Sequence, residues 1–256
     1  MELLSPTKQL TLPVQLRQDA SFENFYGEAN LKSVFLLKQT LSARDETLIY
    51  LAGAAGVGKT HLLCAAISFF EQECQHSSLA EEEGPAVCYF AMDELCEPFV
   101  SNDGLAELFL SFEAFSILAL DNIDAWLDSN LEQRAEKERL LFNLFNHFKI
   151  NGQQLLLSAK SVPSNLSVIL PDLASRLKSG LLVSLVALSD VQKEVLLQFI
   201  AQQKGLILDD GLSAFIIKRS GRDIHALLMV LDQLDQASLT EQRRLTVPFA
   251  KKILNW

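Results

Sequence analysis

A glycine-rich segment of eight residues, GAAGVGKT at positions 53–60, constrains this chain more than any other feature. It satisfies the pattern G-x-x-x-x-G-K-[S/T] and follows a short apolar run, residues 47–52, that predicts a buried strand. Glycines let the backbone curl so that successive N–H groups face an anion, and the start of a helix adds partial positive charge. We therefore predict a nucleotide-phosphate site made by Gly53, Ala54, Ala55, Gly56, Val57, Gly58, Lys59, Thr60 and His61.

A second apolar run, residues 116–120, ends in Asp121. A P-loop protein needs an acidic residue at the tip of a neighbouring strand to hold Mg²⁺. We therefore predict that Asp121 and Thr60 hold Mg²⁺, while Lys59 reaches the β and γ phosphates of a bound nucleotide. The alternative is an ordinary strand that ends in a turn. Asn122 follows, and because an amide cannot accept a proton at neutral pH, we expect slow intrinsic hydrolysis.

Apolar runs and helical spacings alternate through the first three-quarters of the chain. Strands are predicted at 47–52, 86–92, 116–120, 154–159 and 181–188, and helices at 31–41, 61–73 and 131–150, with one or two short helices over 93–112. Three further helices, at 190–204, 209–219 and 222–236, follow without strands. This order predicts an α/β fold: a P-loop core at 21–188, with a parallel sheet flanked by helices, and a small all-helical domain at 189–256. Residues 1–20 are predicted to form a flexible tail.

The composition excludes several classes of protein. The formal net charge of −10 argues against strong direct DNA binding, because phosphate backbones repel an acidic surface. No apolar run approaches the roughly 20 residues that a membrane span needs, and no secretory signal is visible. The four cysteines, Cys64, Cys74, Cys88 and Cys96, lack zinc-site spacing. We expect free thiols in a reducing compartment, hence a cytoplasmic protein.

With the phosphate loop and the Asp121 strand in place, the chain from about Ser21 onward resembles the AAA+ module of the bacterial DnaA initiator family. It is more similar to the shorter regulatory homologues in that family than to the initiator. Residues 21–30 (SFENFYGEAN) resemble a segment that borders the adenine, which implies contacts from Phe22, Asn24 and Phe25. The alternative is that both phenylalanines are plain core residues. Ser158 stands where the family has its sensor 1 polar residue.

Two arginines gain roles through the same resemblance. Arg176, in LASRL at 173–177, resembles the arginine finger that enters the nucleotide site of a neighbouring subunit and stabilises charge on the transferred phosphoryl group. Arg222, in GRDI at 221–224, resembles the sensor 2 arginine that touches the nucleotide from the helical lid. The alternatives are a surface or helix-capping role for Arg176 and a local ion pair for Arg222.

The two ends of the chain also resemble the regulatory homologues. Residues 9–13 (QLTLP) are similar to the peptide that docks on the DNA polymerase sliding clamp, which implies contacts from Gln9, Leu10, Leu12 and Pro13. The chain stops at Trp256, where the initiator's DNA-binding domain would begin.

The resemblance as a whole implies a negative regulator of replication initiation that holds a nucleotide, binds the clamp and promotes ATP hydrolysis by DnaA. ADP is expected rather than ATP because of Asn122, and a finger that acts in trans implies subunit contact, including a possible homo-oligomer. Two alternatives stay open. The first is an autonomous ATPase that remodels its substrate, like a clamp loader or helicase loader, and the second is an adaptor that recruits without stimulating hydrolysis.

Overall fold

Five short apolar segments form the strands of one parallel sheet in the computed structural model, which describes residues 20–76, 86–96, 101–220, 224–241 and 243–256. The strands are β1 (Leu48–Ala52), β2 (Val87–Ala91), β3 (Ile117–Asp121), β4 (Gln154–Ala159) and β5 (Leu181–Ser184). Every residue of β1, β3 and β4 is buried, because helices cover both faces of the sheet. The predicted α/β class with a parallel sheet is confirmed.

The strand order β2-β3-β4-β1-β5 decides which side chains meet. Leu51 in β1 lies opposite Ser158 in β4, and Asp121 at the end of β3 lies opposite Ala91 in β2. All four pairings are parallel, so the carboxyl ends of the strands share one edge of the sheet. The loop after β1, the end of β3 and the end of β4 therefore converge on one site.

Ten α-helices accompany the sheet in the described part of the chain. Six belong to the α/β core: α1 (Leu31–Ala43), α2 (Lys59–His76), α3 (Asn102–Phe112), α4 (Ile123–Ser129), α5 (Arg134–Asn151) and α6 (Pro171–Ser179). Four follow in the helical lid: α7 (Asp190–Gln203), α8 (Asp210–Arg219), α9 (Ile224–Glu241) and α10 (Val247–Leu254).

Several predicted bounds were wrong. Within residues 93–112, predicted to form one or two short helices, the structure has a 3₁₀ segment, Met92–Cys96, and α3. The helix predicted to begin at residue 131 begins at Arg134, after the separate short helix α4. The strand predicted over 181–188 ends at Ser184, because the amide and carbonyl of Val186 bond instead to the buried side chain of Asn30, at 2.9 and 3.0 Å. A fourth lid helix, α10, was not predicted.

Successive side chains along each strand point to opposite faces of the sheet, so each face has its own hydrophobic core. Tyr50, Leu118 and Leu157 pack on the face covered by α3, α4, α5 and α6, while Leu51 and Leu156 face α1 and α2. The lid has a third core of its own, made by helices α7 to α10. The rings of Tyr26 and Phe199, 6.5 Å apart, join the α/β core to α7.

The composition-based expectations bear on the described residues as follows. None of the helices resolved in those ranges combines the length and apolarity needed to cross a membrane. Cys64 and Cys88 are buried free thiols and Cys74 is a partly exposed one. Burial raises the pKa of Cys88 to about 11, so its thiol stays protonated. Within the same ranges no group of three His, Cys, Asp or Glu side chains could hold a metal ion.

Candidate nucleotide-binding site

The glycine-rich loop connects β1 to α2, as its sequence predicts. Two of its glycines are sterically required. Gly58 has a φ of +98°, and a Cβ placed there would lie 2.6 Å from a ring carbon of Phe25. A Cβ on Gly53 would lie 2.9 Å from the carbonyl oxygen of Leu185. The loop can therefore curl tightly against its neighbours only with glycine at both positions.

Lys59 is held inside this loop. Its side chain is only 6% exposed, and its ammonium donates to the carbonyl oxygens of Gly53 (2.8 Å) and Ala54 (3.0 Å). Burial lowers the pKa of Lys59, and the carboxylates of Asp121 and Asp124 partly oppose that effect. The amine therefore lies at the mouth of the loop, where an anion would replace its carbonyl partners.

Asp121 is the centre of the site. Its side chain is 1% exposed, and one carboxylate oxygen accepts from the hydroxyls of Thr60 (2.5 Å) and Tyr89 (3.0 Å). The other oxygen accepts from the Ser158 hydroxyl and from the backbone N–H of Asn122. The structure thus brings together Thr60, Asp121 and Ser158, three residues that the sequence singled out from three separate segments.

Tyr89 was missed by sequence reasoning. It lies in β2 opposite Ala119, and its phenol reaches Asp121 across the edge of the sheet. Burial raises the pKa of Tyr89, and the negative charge of Asp121 raises it further. The phenol therefore remains a proton donor to the carboxylate. The sequence signal for this hydrogen bond is a tyrosine within the apolar run AVCYFAM (86–92), and it can be interpreted only once β2 is known to lie next to β3.

Asn122, directly after Asp121, adopts a left-handed conformation with a φ of 57°. Its side-chain amide donates to a carboxylate oxygen of Asp93 at 3.1 Å. Asp124, two residues further on, accepts from the backbone N–H of Lys160 at 3.0 Å. The amide at position 122 is thus paired with an acid from the end of β2, a second contact that the sequence analysis did not anticipate.

The segment 21–30 contributes one aromatic ring to the loop. Phe25 lies against Gly58 and its ring centroid is 5.6 Å from that of His61, whose Nε2 contacts the carbonyl of Ser21 at 2.9 Å. Asn24 closes a turn with Ser21, accepting from its backbone N–H at 2.9 Å. Phe22 is buried and packs edge-on against Phe69 of α2, which is the environment of a core residue. Adenine contacts by these residues stay predictions.

Arg176 lies on α6, away from the loop in sequence. Its guanidinium stands 5.6 Å from the centroid of the Phe145 ring on α5, and the side chain is half-buried. Arg222 and the tail residues Gln9, Leu10, Leu12 and Pro13 lie outside the described residues, so their predicted roles rest on sequence alone.

The residues of the loop fit a polyphosphate and a hard cation. Gly53 and Gly58 permit the tight curl that a phosphate-binding loop needs, and the buried ammonium of Lys59 supplies positive charge. The Thr60 hydroxyl and the Asp121 carboxylate, in contact at 2.5 Å, are the kind of oxygen ligands that Mg²⁺ prefers. A parallel sheet of this order with such a loop and an acidic neighbouring strand defines a P-loop nucleotide-binding protein of the AAA+ class.

Comparison with known families agrees and is more specific. Residues 16–184 match the bacterial DnaA ATPase domain, and residues 190–254 match the Hda lid domain. The chain therefore belongs to the bacterial DnaA family, as an Hda-like homologue of DnaA. The first match ends at residue 184 and the second begins at residue 190.

Individual proteins are also similar to this chain, one in sequence and others in fold. A protein of Haemophilus influenzae described as uncharacterized is 38% identical over 252 residues, which cover 97% of this chain and 99% of that protein. Domain III of the Thermotoga maritima replication initiation protein DnaA has a similar structure (TM-score 0.75, 19% identity), covering 94% of this chain and 97% of that one. AMPPCP-bound DnaA from Aquifex aeolicus is also similar (TM-score 0.68, 20% identity), covering 89% of this chain and 68% of that one.

Proposed function

We propose that this chain is a negative regulator of DNA replication initiation that holds a nucleotide, binds the sliding clamp and promotes ATP hydrolysis by DnaA. The observation that carries the proposal is the combination of a DnaA-type ATPase core with an Hda-type lid in one chain. The setting is the cytoplasm, where the clamp and the initiator act. The finger's action in trans requires contact with another subunit, either DnaA or a further copy of this chain.

The bound nucleotide in this proposal is ADP, or ATP turned over slowly, with Mg²⁺. Loop residues 53–60 cradle the phosphates, Lys59 neutralises them, and Thr60 and Asp121 hold the cation. Mg²⁺ when bound supplies charge neutralisation at the terminal phosphates. Ser158 and Tyr89 hold the Asp121 carboxylate in place by hydrogen bonds. Asn122 cannot take a proton from an attacking water, which favours retention of the nucleotide over turnover.

Arg176 is the residue proposed to act on DnaA. A guanidinium that is always charged and forks toward phosphate oxygens stabilises negative charge on the transferred phosphoryl group. Arg176 is only half-buried on the short helix α6, so a partner can reach this residue. The tail residues Leu12 and Pro13 are proposed to recruit the protein to the clamp, on the basis of the QLTLP sequence.

A reconstituted hydrolysis assay tests the finger. ATP-bound DnaA is mixed with DNA-loaded clamp and this protein, and ADP on DnaA is measured over time. We expect Arg176→Ala to lower the stimulated rate by at least about tenfold, since fingers in other systems contribute more than that. Lys178→Ala is the matched control, because Lys178 is an exposed cation on the same helix. Equal rates for the two variants would remove Arg176 from the mechanism and favour a recruiting adaptor.

The tail is tested separately by retention on the clamp. A variant with both Leu12 and Pro13 changed to alanine should lose retention while keeping its nucleotide. Undiminished retention would exclude the tail as the clamp-binding element.

The alternative, an autonomous remodelling ATPase, predicts turnover by the isolated chain at ordinary enzyme rates of roughly 1 per second or more. Asn122 disfavours an autonomous ATPase, because an amide that cannot accept a proton occupies the position next to Asp121 and donates to Asp93. Steady-state hydrolysis by purified protein, without clamp or DnaA, discriminates between the two functions.

A further inference from the structure

We propose that two residues of α5, Glu138 and Phe145, position the finger Arg176 by holding α6 at both of its ends. The inference deepens the proposed function and rests on it, because it assigns how the finger is presented to DnaA. Both residues act through Arg176 and are therefore positioning residues.

The first contact is at the start of α6. The helix begins at Pro171, and its N-cap residue, Leu170, offers no side-chain acceptor. The carboxylate of Glu138, which is 0% exposed, accepts instead from the backbone N–H groups of Ile169 (2.9 Å) and Leu170 (2.7 Å). The carboxylate of a neighbouring helix thus satisfies the N–H groups of the N-cap residue and of the residue before it, and its charge complements the helix dipole.

Glu138 is itself fixed by a buried cation. Arg134 donates to it from Nε at 3.1 Å, to Asp128 from Nη1 at 2.7 Å, and to the carbonyl oxygen of Ser167. The stretch 167–170 is therefore attached to α5 by both members of one ion pair. Since the pair is buried and its hydrogen bonds are satisfied, this arrangement strongly disfavours movement of the α6 start relative to α5.

The second contact is near the end of α6. The Arg176 guanidinium stands 5.6 Å from the centroid of the Phe145 ring, within the range of a cation–π interaction. Phe145 follows Glu138 by seven residues, two helical turns, so both lie on one face of α5. Leu173 and Leu177, at 1% and 2% exposure, set the rotation of α6 about its axis. Both the position of α6 and the direction of its arginine are therefore determined by α5.

This arrangement reduces the conformational entropy that the Arg176 side chain loses when it docks on DnaA. A free arginine side chain loses rotamer entropy when it is immobilised. A guanidinium already resting on an aromatic ring has lost part of that freedom before DnaA arrives, and an oriented group reaches its reactive geometry more often. We therefore expect the benefit in the maximal rate of stimulated hydrolysis.

The test compares Phe145→Leu with Phe145→Tyr in the reconstituted hydrolysis assay. Leucine keeps an apolar side chain and removes the ring, whereas tyrosine keeps the ring. We expect Phe145→Leu to lower the maximal stimulated rate about fivefold, with an unchanged concentration of this protein at half-saturation. The Phe145→Tyr variant should have the wild-type rate. Phe145→Met, a second aliphatic replacement, is measured in parallel in case leucine impairs folding. Urea unfolding of each variant reports that the fold is kept.

A double-mutant comparison separates the outcomes. If Phe145 acts through Arg176, then Phe145→Leu should change nothing further in an Arg176→Ala background. A normal rate for folded Phe145→Leu and Phe145→Met, beside a low rate for Arg176→Ala, overturns the inference and leaves the proposed function intact. A low rate that Phe145→Tyr does not restore also overturns it. A normal rate for Arg176→Ala overturns the finger and the inference together.

Discussion

Replacing Glu138 by glutamine should destabilise the protein far more than its conservative chemistry suggests. The carboxylate is fully buried and accepts from Arg134, Ile169 and Leu170. Glutamine keeps one acceptor oxygen and turns an NH₂ group toward donors that had a carboxylate. Removing one member of a buried ion pair costs about 3–5 kcal/mol. Because glutamine preserves shape and one acceptor, we expect the lower end, about 3 kcal/mol.

Urea unfolding measures this cost. Trp126 is buried in the same core as α5, so its fluorescence reports that region, and a Trp256→Phe background removes the signal from the lid. For a typical urea slope of about 2 kcal/mol/M, a loss of 3 kcal/mol lowers the midpoint by about 1.5 M with an unchanged slope. A domain with an ordinary stability of about 5–15 kcal/mol still folds.

The matched control is Glu136→Gln on the same helix. Glu136 is partly exposed and pairs with the exposed Arg139, and such pairs contribute about 0–1 kcal/mol. Its midpoint should move by about 0.5 M at most. If the two glutamine variants unfold at the same urea concentration, the carboxylate of Glu138 does not hold the start of α6, and the argument for its positioning role fails.

Three further predictions concern the nucleotide site. Exchanging the amide and the acid, with Asp93→Asn and Asn122→Asp together, preserves their hydrogen bond but puts a carboxylate next to Asp121. The rate at which the isolated protein hydrolyses ATP to ADP should then rise at least about tenfold, and an unchanged rate would contradict the role given to Asn122. Asp124→Asn should lower the pKa of Lys59 further, since that carboxylate opposes the effect of burial. Phosphate binding needs the protonated amine, so affinity is full at low pH and is lost as pH rises through that pKa. Nucleotide titrations across pH should show the loss beginning at lower pH in the variant, and superimposable profiles would refute this. Gly58→Ala introduces a Cβ at a φ of +98° and should weaken ADP binding at least about tenfold in calorimetry, and an unchanged affinity would contradict the steric requirement for glycine.

The loop and the Asp121 strand could be predicted because their signals are local. Gly53, Gly58 and Lys59 lie within one segment of eight residues, and the four residues before Asp121 are all apolar. Their convergence followed from one rule, that the carboxyl ends of parallel strands share an edge. The placement of Thr60 against Asp121 at 2.5 Å is the outcome expected from that rule.

Other contacts depend on the lateral order of strands, which no local pattern records. Tyr89 reaches Asp121 and Asp93 reaches Asn122 only because β2 lies next to β3. The buried ions of α5 were equally hidden, because charged residues normally predict an exposed helical face. Glu138 can be buried because its carboxylate is satisfied by Arg134, one turn earlier in α5, and by two backbone amides just before α6.

The bonds that Lys59 makes to the carbonyls of its own loop have a thermodynamic consequence. They hold the loop in its curled conformation before a nucleotide binds, so a diphosphate has only to replace these carbonyls at the ammonium and does not have to fold the loop. Capture should then be fast, and differences in affinity among variants should appear mainly as differences in residence time. A site with that character suits a protein that keeps one nucleotide through many encounters.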